Sequence, residues 1–353
     1  MNSRVKKLFL KLEQENLDGL IVSLPANISY LVEFISRDSY LLISKKGNVY
    51  FTDSRYIEET KEKLKKAFTL KKTNGSVFRL IAQTALDLGL KRVGFEERYL
   101  PFAEYEKIKK TLNKKACLVN SHSLIEELRQ FKEPQELENI REAIKITDKA
   151  LEFIKSFIKP GQKELEIAAE LARFIRYHGG QDEAFDIIVA SGPNSSFPHH
   201  RSSEKKIKNS EPVLIDIGVE YKGYKSDLTR VFFLGKIDFL AQKIYDIVLK
   251  AQEQAIKIAS PGRLISEVDK ASRQFIAQNG YADFFGHNLG HGVGLEIHEL
   301  PTISGGEKIE LEAGMVFTVE PAIYIPGKFG IRIEDMVLVN KKECEVLSGF
   351  VNK

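Results

Sequence analysis

The apolar positions at the start of the chain recur first at helical spacing and then at strand spacing. Val5, Leu8, Phe9 and Leu12 fall on one face of a helix, and residues 19–24 form a continuous apolar segment. This order predicts an amphipathic helix that leads directly into a strand.

Two short apolar runs, residues 39–44 and 49–52, flank the polar sequence Lys45-Lys46-Gly47-Asn48, which predicts a β-hairpin. Residues 53–66 have helix character, and residues 92–96 supply another strand. The mixture of helices and strands over the first 120 residues favours a small α/β domain with a sheet covered by helices.

A short polar stretch, residues 120–124, marks the predicted junction between two domains, residues 1–123 and 124–353. Two long helices are predicted after it, at residues 134–158 and 165–178, and Lys159-Pro160-Gly161 separates them as a stop signal. The rest of the second domain is rich in strands, with two helices between them, which is an α+β pattern. We predict strands at 186–190, 212–218, 226–234, 315–320 and 331–339, and helices at 238–260 and 265–279.

The length of 353 residues exceeds the usual size of one hydrophobic core, which agrees with two domains. The formal net charge of +4 is small and is spread along the chain, so nucleic acid is not an expected partner. Cys117 and Cys344 lie far apart without metal-binding spacing, which favours a reducing cytoplasm. The N-terminal residues mix charges every few positions and predict neither an export signal nor a membrane anchor.

The sequence LIDIGVEYKGYKSDLTRVFF places Asp216 near the end of one apolar strand and Asp227 at the start of the next. If the two strands pair, the carboxylates can face one metal ion. Taken alone, the pair also fits two solvated aspartates at strand ends.

Three of the seven histidines lie within twelve residues of the sequence GHNLGHGVGLEIHELP: His287, His291 and His298. Imidazole ligates divalent metals and transfers protons near neutral pH. For any single histidine, a hydrogen-bonded structural role is an equal alternative.

Glu320 and Glu334 lie in two apolar strand sequences, MVFTVEPAIYIP and GIRIEDMVLV. A buried ionised carboxylate without a partner costs several kcal/mol, so both predict pairing or metal binding. Arg332 lies two residues before Glu334, and we expect it on the same strand face, orienting a carboxylate through a bidentate contact.

Four carboxylates and one imidazole form an oxygen-rich ligand set that suits two divalent cations. Four clustered carboxylates without cations would repel one another and take up protons. Metal ions therefore account for the cluster better than salt bridges do.

The order and wording of these motifs resemble the pita-bread metallopeptidases, above all the Xaa-Pro aminopeptidases and Xaa-Pro dipeptidases. The sequences NISYLVEF and YFTDSRYIEE resemble the creatinase-like N-terminal domain of the same enzymes. The resemblance implies a creatinase-like N-terminal α/β domain followed by an α+β pita-bread catalytic domain. It also implies two divalent ions, with manganese expected before cobalt or zinc, held by Asp216, Asp227, His291, Glu320 and Glu334.

By the same resemblance, His199 of the sequence SFPHHRSS lines the pocket around the scissile peptide bond, His298 contacts the substrate, and His298 with Glu320 manages protons. His287 is a further histidine of the pocket. His200 matches no functional position and is expected at the surface.

The implied substrates are peptides with proline at the second position, and homodimers are frequent in the family. Dipeptidases often bind the substrate carboxylate through an arginine between the HGVG motif and the second-metal glutamate. Here only Lys308 supplies a side-chain cation of the lysine or arginine type between His291 and Glu320, which favours the aminopeptidase. The dipeptidase stays the alternative, since another segment can supply the cation. A non-catalytic binding relative is disfavoured by the intact ligands.

Overall fold

The computed structural model describes residues 3–348, and the chain divides into two compact units, Met1–Arg129 and Gln130–Lys353. The division follows a short helix at Glu126–Arg129, so it lies C-terminal to the predicted junction at residue 123. No helix within residues 3–348 is long and apolar enough to cross a membrane.

The N-terminal unit is a mixed six-stranded sheet with helices. Its helices are α1 (Ser3–Gln14), α2 (Pro25–Val32), α3 (Ile57–Lys63), α4 (Val77–Asp87), α5 (Phe102–Leu112) and α6 (Glu126–Arg129). Its strands are β1 (Gly19–Val22), β2 (Tyr40–Ser44), β3 (Val49–Thr52), β4 (Thr69–Lys72), β5 (Arg92–Phe95) and β6 (Cys117–Asn120). The strand order is β4-β3-β2-β1-β5-β6, with β1, β5 and β6 parallel to one another.

The hydrophobic pattern explains most of this unit. Val5, Leu8 and Leu12 of α1 are buried as the helical spacing requires, and β2 and β3 form the predicted antiparallel hairpin. The helix predicted over residues 53–66 is shorter than expected and begins at Ile57. Asp53 accepts a hydrogen bond from the backbone N–H of Arg55 at 2.8 Å, and this local turn competes with the helix.

The second unit contains four long helices and thirteen strands within its described residues. The helices are α7 (Pro134–Phe157), α8 (Glu164–Tyr177), α9 (Phe239–Ile258) and α10 (Ile265–Gln278). The strands are β7 (Asp182–Glu183), β8 (Ile188–Ser191), β9 (Pro212–Ile217), β10 (Val219–Tyr221), β11 (Tyr224–Lys225), β12 (Leu228–Phe233), β13 (Gly290–Gly292), β14 (Glu299–Ile303), β15 (Val316–Val319), β16 (Ala322–Ile325), β17 (Phe329–Arg332), β18 (Asp335–Val339) and β19 (Cys344–Val346). Single 3₁₀ turns lie at Gly192–Ser196 and Ala282–Phe284.

The strands of this unit form four small antiparallel sheets, in the orders β12-β9-β8, β14-β13-β15-β18-β19, β11-β10-β7 and β16-β17. Helices α7 and α8 share one apolar cluster with residues of β9. Helices α9 and α10 share a second apolar cluster with residues of β15, β16 and β17. Two apolar clusters therefore support two helix-and-sheet halves, which is the α+β architecture expected from the sequence.

One predicted strand is wrong in its extent: residues 331–339 do not form a single strand. β17 ends at Arg332 and β18 begins at Asp335. Strand β17 pairs with β16. After β17 the backbone N–H of Glu334 donates instead to the carbonyl oxygen of Thr229 in β12, at 3.2 Å. Glu334 therefore lies at a break in the sheet and not within a strand.

Candidate metal centre

The five predicted metal ligands line one cavity of about 570 Å³ in the second unit. They come from five separate positions along the sequence, each in or beside a different strand. Asp216 lies in β9, Asp227 immediately precedes β12, His291 lies in β13, Glu320 follows β15, and Glu334 lies between β17 and β18. The antiparallel pairing of β9 with β12 sets Asp216 opposite Thr229, which brings Asp227 to the same end of the sheet.

Asp227, His291 and Glu334 each offer a ligand atom, and these three atoms all lie within 4.8 Å of one another. His291 Nε2 is 3.5 Å from Asp227 Oδ2 and 3.4 Å from Glu320 Oε1. His291 Nδ1 lies 3.1 Å from the carbonyl oxygen of Gly292, which can only accept, so Nδ1 carries the proton. The lone pair of Nε2 then faces the carboxylates, as a metal ligand requires.

The carboxylates of the cavity lack compensating positive charge, and their pKa values show it. Burial, reinforced by repulsion from the neighbouring carboxylates, raises the pKa of Asp227 and of Glu334 well above the usual range. Burial likewise raises the pKa of Glu320 to about 7 and lowers the pKa of His291 to about 4. Asp216 Oδ1 is buried and has no hydrogen-bond partner among residues 3–348. An oxygen-rich, mutually repelling cluster with an unsatisfied buried oxygen fits divalent cations.

Arg332 is the cation that contacts this cluster, and it does so differently from the prediction. Its Nη2 donates to Asp216 Oδ2 at 2.6 Å and its Nη1 donates to the Tyr324 hydroxyl at 2.7 Å. The expected bidentate contact is therefore wrong, since only one guanidinium nitrogen reaches the carboxylate. Arg332 and Glu334 also do not share a strand, because of the break after β17.

Two threonines orient the ligands, and the sequence reasoning missed both. The Thr229 hydroxyl donates to Glu334 Oε2 at 2.7 Å and accepts from Arg332 Nε at 3.0 Å. The Thr318 hydroxyl donates to Glu320 Oε1 at 3.2 Å and accepts from the backbone N–H of His291 at 3.2 Å. Each threonine lies two residues from a ligand, the spacing that places side chains on one face of a strand.

Gln252 of α9 connects the two glutamate segments from behind. Its side-chain amide donates to the carbonyl oxygens of Val319, at 2.9 Å, and Ile333, at 3.1 Å. These residues immediately precede Glu320 and Glu334, and Gln252 itself is fully buried. A polar residue among the buried apolar positions of a helix was the sequence signal for this role.

The predicted pocket histidines all line the cavity. The rings of His298 and His291 are 4.3 Å apart between centroids, and His298 is exposed at the opening. His199 is also exposed, whereas His287 contacts the Tyr324 hydroxyl at 3.2 Å and burial lowers its pKa to about 4. His199 and His298 are therefore the two histidines that a substrate can reach from solvent.

The expectation of a surface role for His200 is wrong. Its Nε2 lies 2.9 Å from Glu164 Oε2, and its side chain is 13% exposed. Its neighbour Arg201, which the sequence did not single out, lines the cavity, is exposed, and makes no hydrogen bond or ion pair within residues 3–348.

Fold and site together define the class: a metal-dependent peptidase with a pita-bread catalytic domain. Residues 138–341 match metallopeptidase family M24, and residues 4–131 match the creatinase/prolidase N-terminal domain. The chain belongs to metallopeptidase family M24.

Similar proteins extend over nearly the whole chain. An Xaa-Pro dipeptidase from Pyrococcus horikoshii is 34% identical over 99% of this chain and 97% of its own length. The solved structure of an Xaa-Pro dipeptidase from Bacillus anthracis aligns with a TM-score of 0.95 at 36% identity, covering 99% of this chain and 98% of the other. An X-Pro aminopeptidase from Thermotoga maritima aligns with a TM-score of 0.88 at 35% identity, covering 96% and 97%.

Proposed function

We propose that this metallopeptidase hydrolyses the peptide bond that precedes proline and prefers free Xaa-Pro dipeptides. The Xaa-Pro bond is supported by the names of the relatives and by the motifs of the site. Proline lacks a backbone N–H and cannot take part in the extended pairing by which many proteases hold substrate, so a dedicated pocket suits it. The proposed metals are two divalent cations, with manganese expected before cobalt or zinc, and a homodimer stays a prediction.

The observation that carries the dipeptide preference is Arg201. A dipeptide presents its terminal carboxylate close to the bond that is cut, so its enzyme needs a cation at the cavity. Arg201 lines the cavity and has no partner within residues 3–348, whereas the guanidinium of Arg332 is bonded to Asp216 and Tyr324. An arginine presents a planar fork of donors that matches a carboxylate.

The side chains divide the work in the following way. Asp216, Asp227, His291, Glu320 and Glu334 hold the cations, which supply Lewis acidity and activate water when bound. Glu320 lines the cavity beside His291 and is placed to accept and return a proton during the reaction. His199 and His298 lie at the opening, where they contact the peptide and orient its carbonyl group.

An Xaa-Pro aminopeptidase is the second candidate. Its support is the absence of arginine between His291 and Glu320 and the likeness to the Thermotoga maritima structure. In such an enzyme the residue after proline would occupy the region near Arg201, and a free carboxylate on proline would bring no advantage.

The test compares hydrolysis of Ala-Pro with hydrolysis of Ala-Pro-Ala by the manganese-loaded protein and by the chelated protein. The proposal expects metal-dependent cleavage with a higher kcat/KM for Ala-Pro. Arg201→Gln should lower kcat/KM for Ala-Pro by about 10- to 100-fold while it changes Ala-Pro-Ala much less, since one charge-assisted contact is worth roughly 1.5–3 kcal/mol.

Arg263→Gln is the matched control, because Arg263 is exposed and lies outside the cavity. Preferred cleavage of Ala-Pro-Ala would establish the aminopeptidase instead. Cleavage of neither peptide would reject the Xaa-Pro assignment.

A further inference from the structure

The segment that carries His199 and Arg201 is fixed to the protein by one buried carboxylate. This wall loop, residues 192–203, connects β8 to the chain before β9 and supplies Pro198, His199, His200 and Arg201 to the cavity lining. Glu164, the first residue of α8, is fully buried beneath it.

Glu164 Oε1 accepts hydrogen bonds from the last residue of β8 and from the start of the wall loop. The donors are the backbone N–H of Ser191 at 2.8 Å, the Ser191 hydroxyl at 2.7 Å and the Asn194 amide at 3.1 Å. Lys205 Nζ supports this end by donating to the Ser191 hydroxyl oxygen at 2.7 Å.

Glu164 Oε2 accepts from the end of the same loop. The donors are the Ser203 hydroxyl at 2.6 Å, the Ser203 backbone N–H at 3.2 Å, and Asn194 at 3.1 Å, and His200 Nε2 lies 2.9 Å away. His200 Nε2 must carry a proton to donate to the carboxylate, whichever charge the ring has. One carboxylate therefore joins both ends of the loop and the residue between His199 and Arg201.

Hydrogen bonds offset the cost of burying the Glu164 carboxylate, which contacts no lysine or arginine within residues 3–348. Burial alone would raise the pKa of Glu164, but the hydrogen bonds from Ser203, Ser191 and His200 keep the pKa below its usual value. The N-terminus of α8 adds a favourable dipole, since Glu164 is its first residue. The carboxylate is thus ionised and saturated by the loop.

The far side of the loop meets the metal centre. The Ser195 hydroxyl accepts from the backbone N–H of Gly330 at 2.8 Å, and the carbonyl oxygen of Pro198 accepts from Arg332 Nη1 at 3.4 Å. The loop therefore lies between Glu164 and the strand that carries Arg332. None of the contacts of Glu164 involves a metal ligand.

We propose that Glu164 is a positioning residue that acts through the wall loop, holding His199 and Arg201 toward the substrate without taking part in metal binding. His200 is the central contact of this anchor, because its backbone lies between those two residues. The expected change in kcat/KM rests on the proposed function. The expected change in the structure of the wall loop does not depend on any activity.

The test is the isosteric substitution Glu164→Gln, with Glu170→Gln on the same helix as the matched control. Glu170 contacts Arg173 within α8 and does not contact the loop. In Glu164→Gln an amide NH₂ replaces one carboxylate oxygen. The amide NH₂ cannot accept the hydrogen bonds that the loop donates to that oxygen, so part of the contact between Glu164 and the loop is lost. We expect kcat/KM for Ala-Pro to fall by about 10- to 100-fold, whereas manganese stoichiometry and affinity should match the wild type.

A double-substitution cycle separates positioning from a general structural effect. If Glu164 acts by placing Arg201, Arg201→Gln should cost much less in the Glu164→Gln background than in the wild type. Additive losses would contradict positioning through Arg201. His200→Gln, which retains a side-chain donor, should recover more activity than His200→Ala.

Trypsin supplies a readout that needs no substrate, because the loop contains Arg201 and is followed by Lys205 and Lys206. The native Glu164→Gln protein should be cut in this segment faster than the wild type and faster than Glu170→Gln. If the wild type cleaves no Xaa-Pro peptide but trypsin shows this pattern, the proposed function fails and the anchor stands. Unchanged trypsin resistance together with wild-type kinetics in Glu164→Gln would overturn the inference.

Discussion

Two sets of buried carboxylates in the catalytic unit are stabilised in opposite ways. Around Glu164, donors from one loop saturate both oxygens, and the pKa falls below its usual value despite burial. In the metal centre, Asp227 and Glu334 face other carboxylates, and burial with that repulsion raises their pKa values well above the usual range. The contrast separates a carboxylate that the protein satisfies by itself from carboxylates that require added cations.

The contrast also separates two tasks. In the proposed function the metal centre supplies charge for the reaction. Its residues come from segments that are tied to one another by Thr229, Thr318 and Gln252. The Glu164 anchor contacts no ligand of that centre and shapes the wall that faces the peptide. Substitutions in the two regions should therefore change different measurements, metal affinity in the first and substrate selectivity in the second.

The largest expected effect is the loss of a ligand at the metal centre. His291→Ala and Asp227→Asn should each lower metal-dependent kcat/KM by at least about 1,000-fold, because several kcal/mol of metal stabilisation disappear at tenfold per 1.4 kcal/mol. Metal content measured on the purified variants should fall in parallel. Asp283→Asn, which changes an exposed acid outside the cavity, should leave both unchanged. Near-normal turnover in His291→Ala would contradict the assignment.

The second expected effect is a pH dependence of the free energy of unfolding of the metal-free protein. Burial raises the pKa of Glu320 from 4.5 to about 7, so the folded chain binds more protons than the unfolded chain between those pH values. The free energy of unfolding contributed by Glu320 must then fall as pH rises through this window. His287 and His291, whose pKa values burial lowers to about 4, act in the opposite direction, so the wild type alone is not informative.

The comparison of wild type with Glu320→Gln removes the Glu320 carboxylate together with the repulsion by which it raises the pKa of Asp227 and of Glu334. Urea unfolding in chelator should show the wild type losing about 2 kcal/mol relative to Glu320→Gln between pH 5 and pH 7.5. Added manganese should abolish this difference in slope. Parallel pH profiles for the two metal-free proteins would show that the Glu320 carboxyl is not destabilised by its site.

The sequence singled out the five residues that line the cavity better than the residues that support them, and the reason is physical. Asp216, Asp227, Glu320 and Glu334 stand out because an acidic residue in an apolar strand demands an explanation. The break that separates Arg332 from Glu334 depends on a hydrogen bond to Thr229, about a hundred residues earlier, which local patterning cannot reveal.

Glu164 and His200, which support the wall loop, do not stand out in the sequence as an acidic residue in an apolar strand does. Glu164 opens a helix, where acidic residues are common, and His200 looked like an ordinary neighbour of His199. Their role depends on how a loop folds over a helix terminus, and the spacing of residues along the chain does not contain that information. The N-terminal hairpin was predictable because its pairing is local.

The smallest expected effect concerns Gln252, which supports the metal centre through backbone carbonyls and not through the ligand side chains. Gln252→Leu keeps the volume of the side chain but removes the donor shared by Val319 O and Ile333 O, so the segments before Glu320 and Glu334 can separate. Manganese affinity, measured by competition titration, should weaken by about tenfold, the lower end for groups behind a metal site. Gln254→Leu on the exposed face of the same helix is the control and should bind manganese normally. Equal affinity in both variants would mean that the sheet fixes the two glutamates without Gln252.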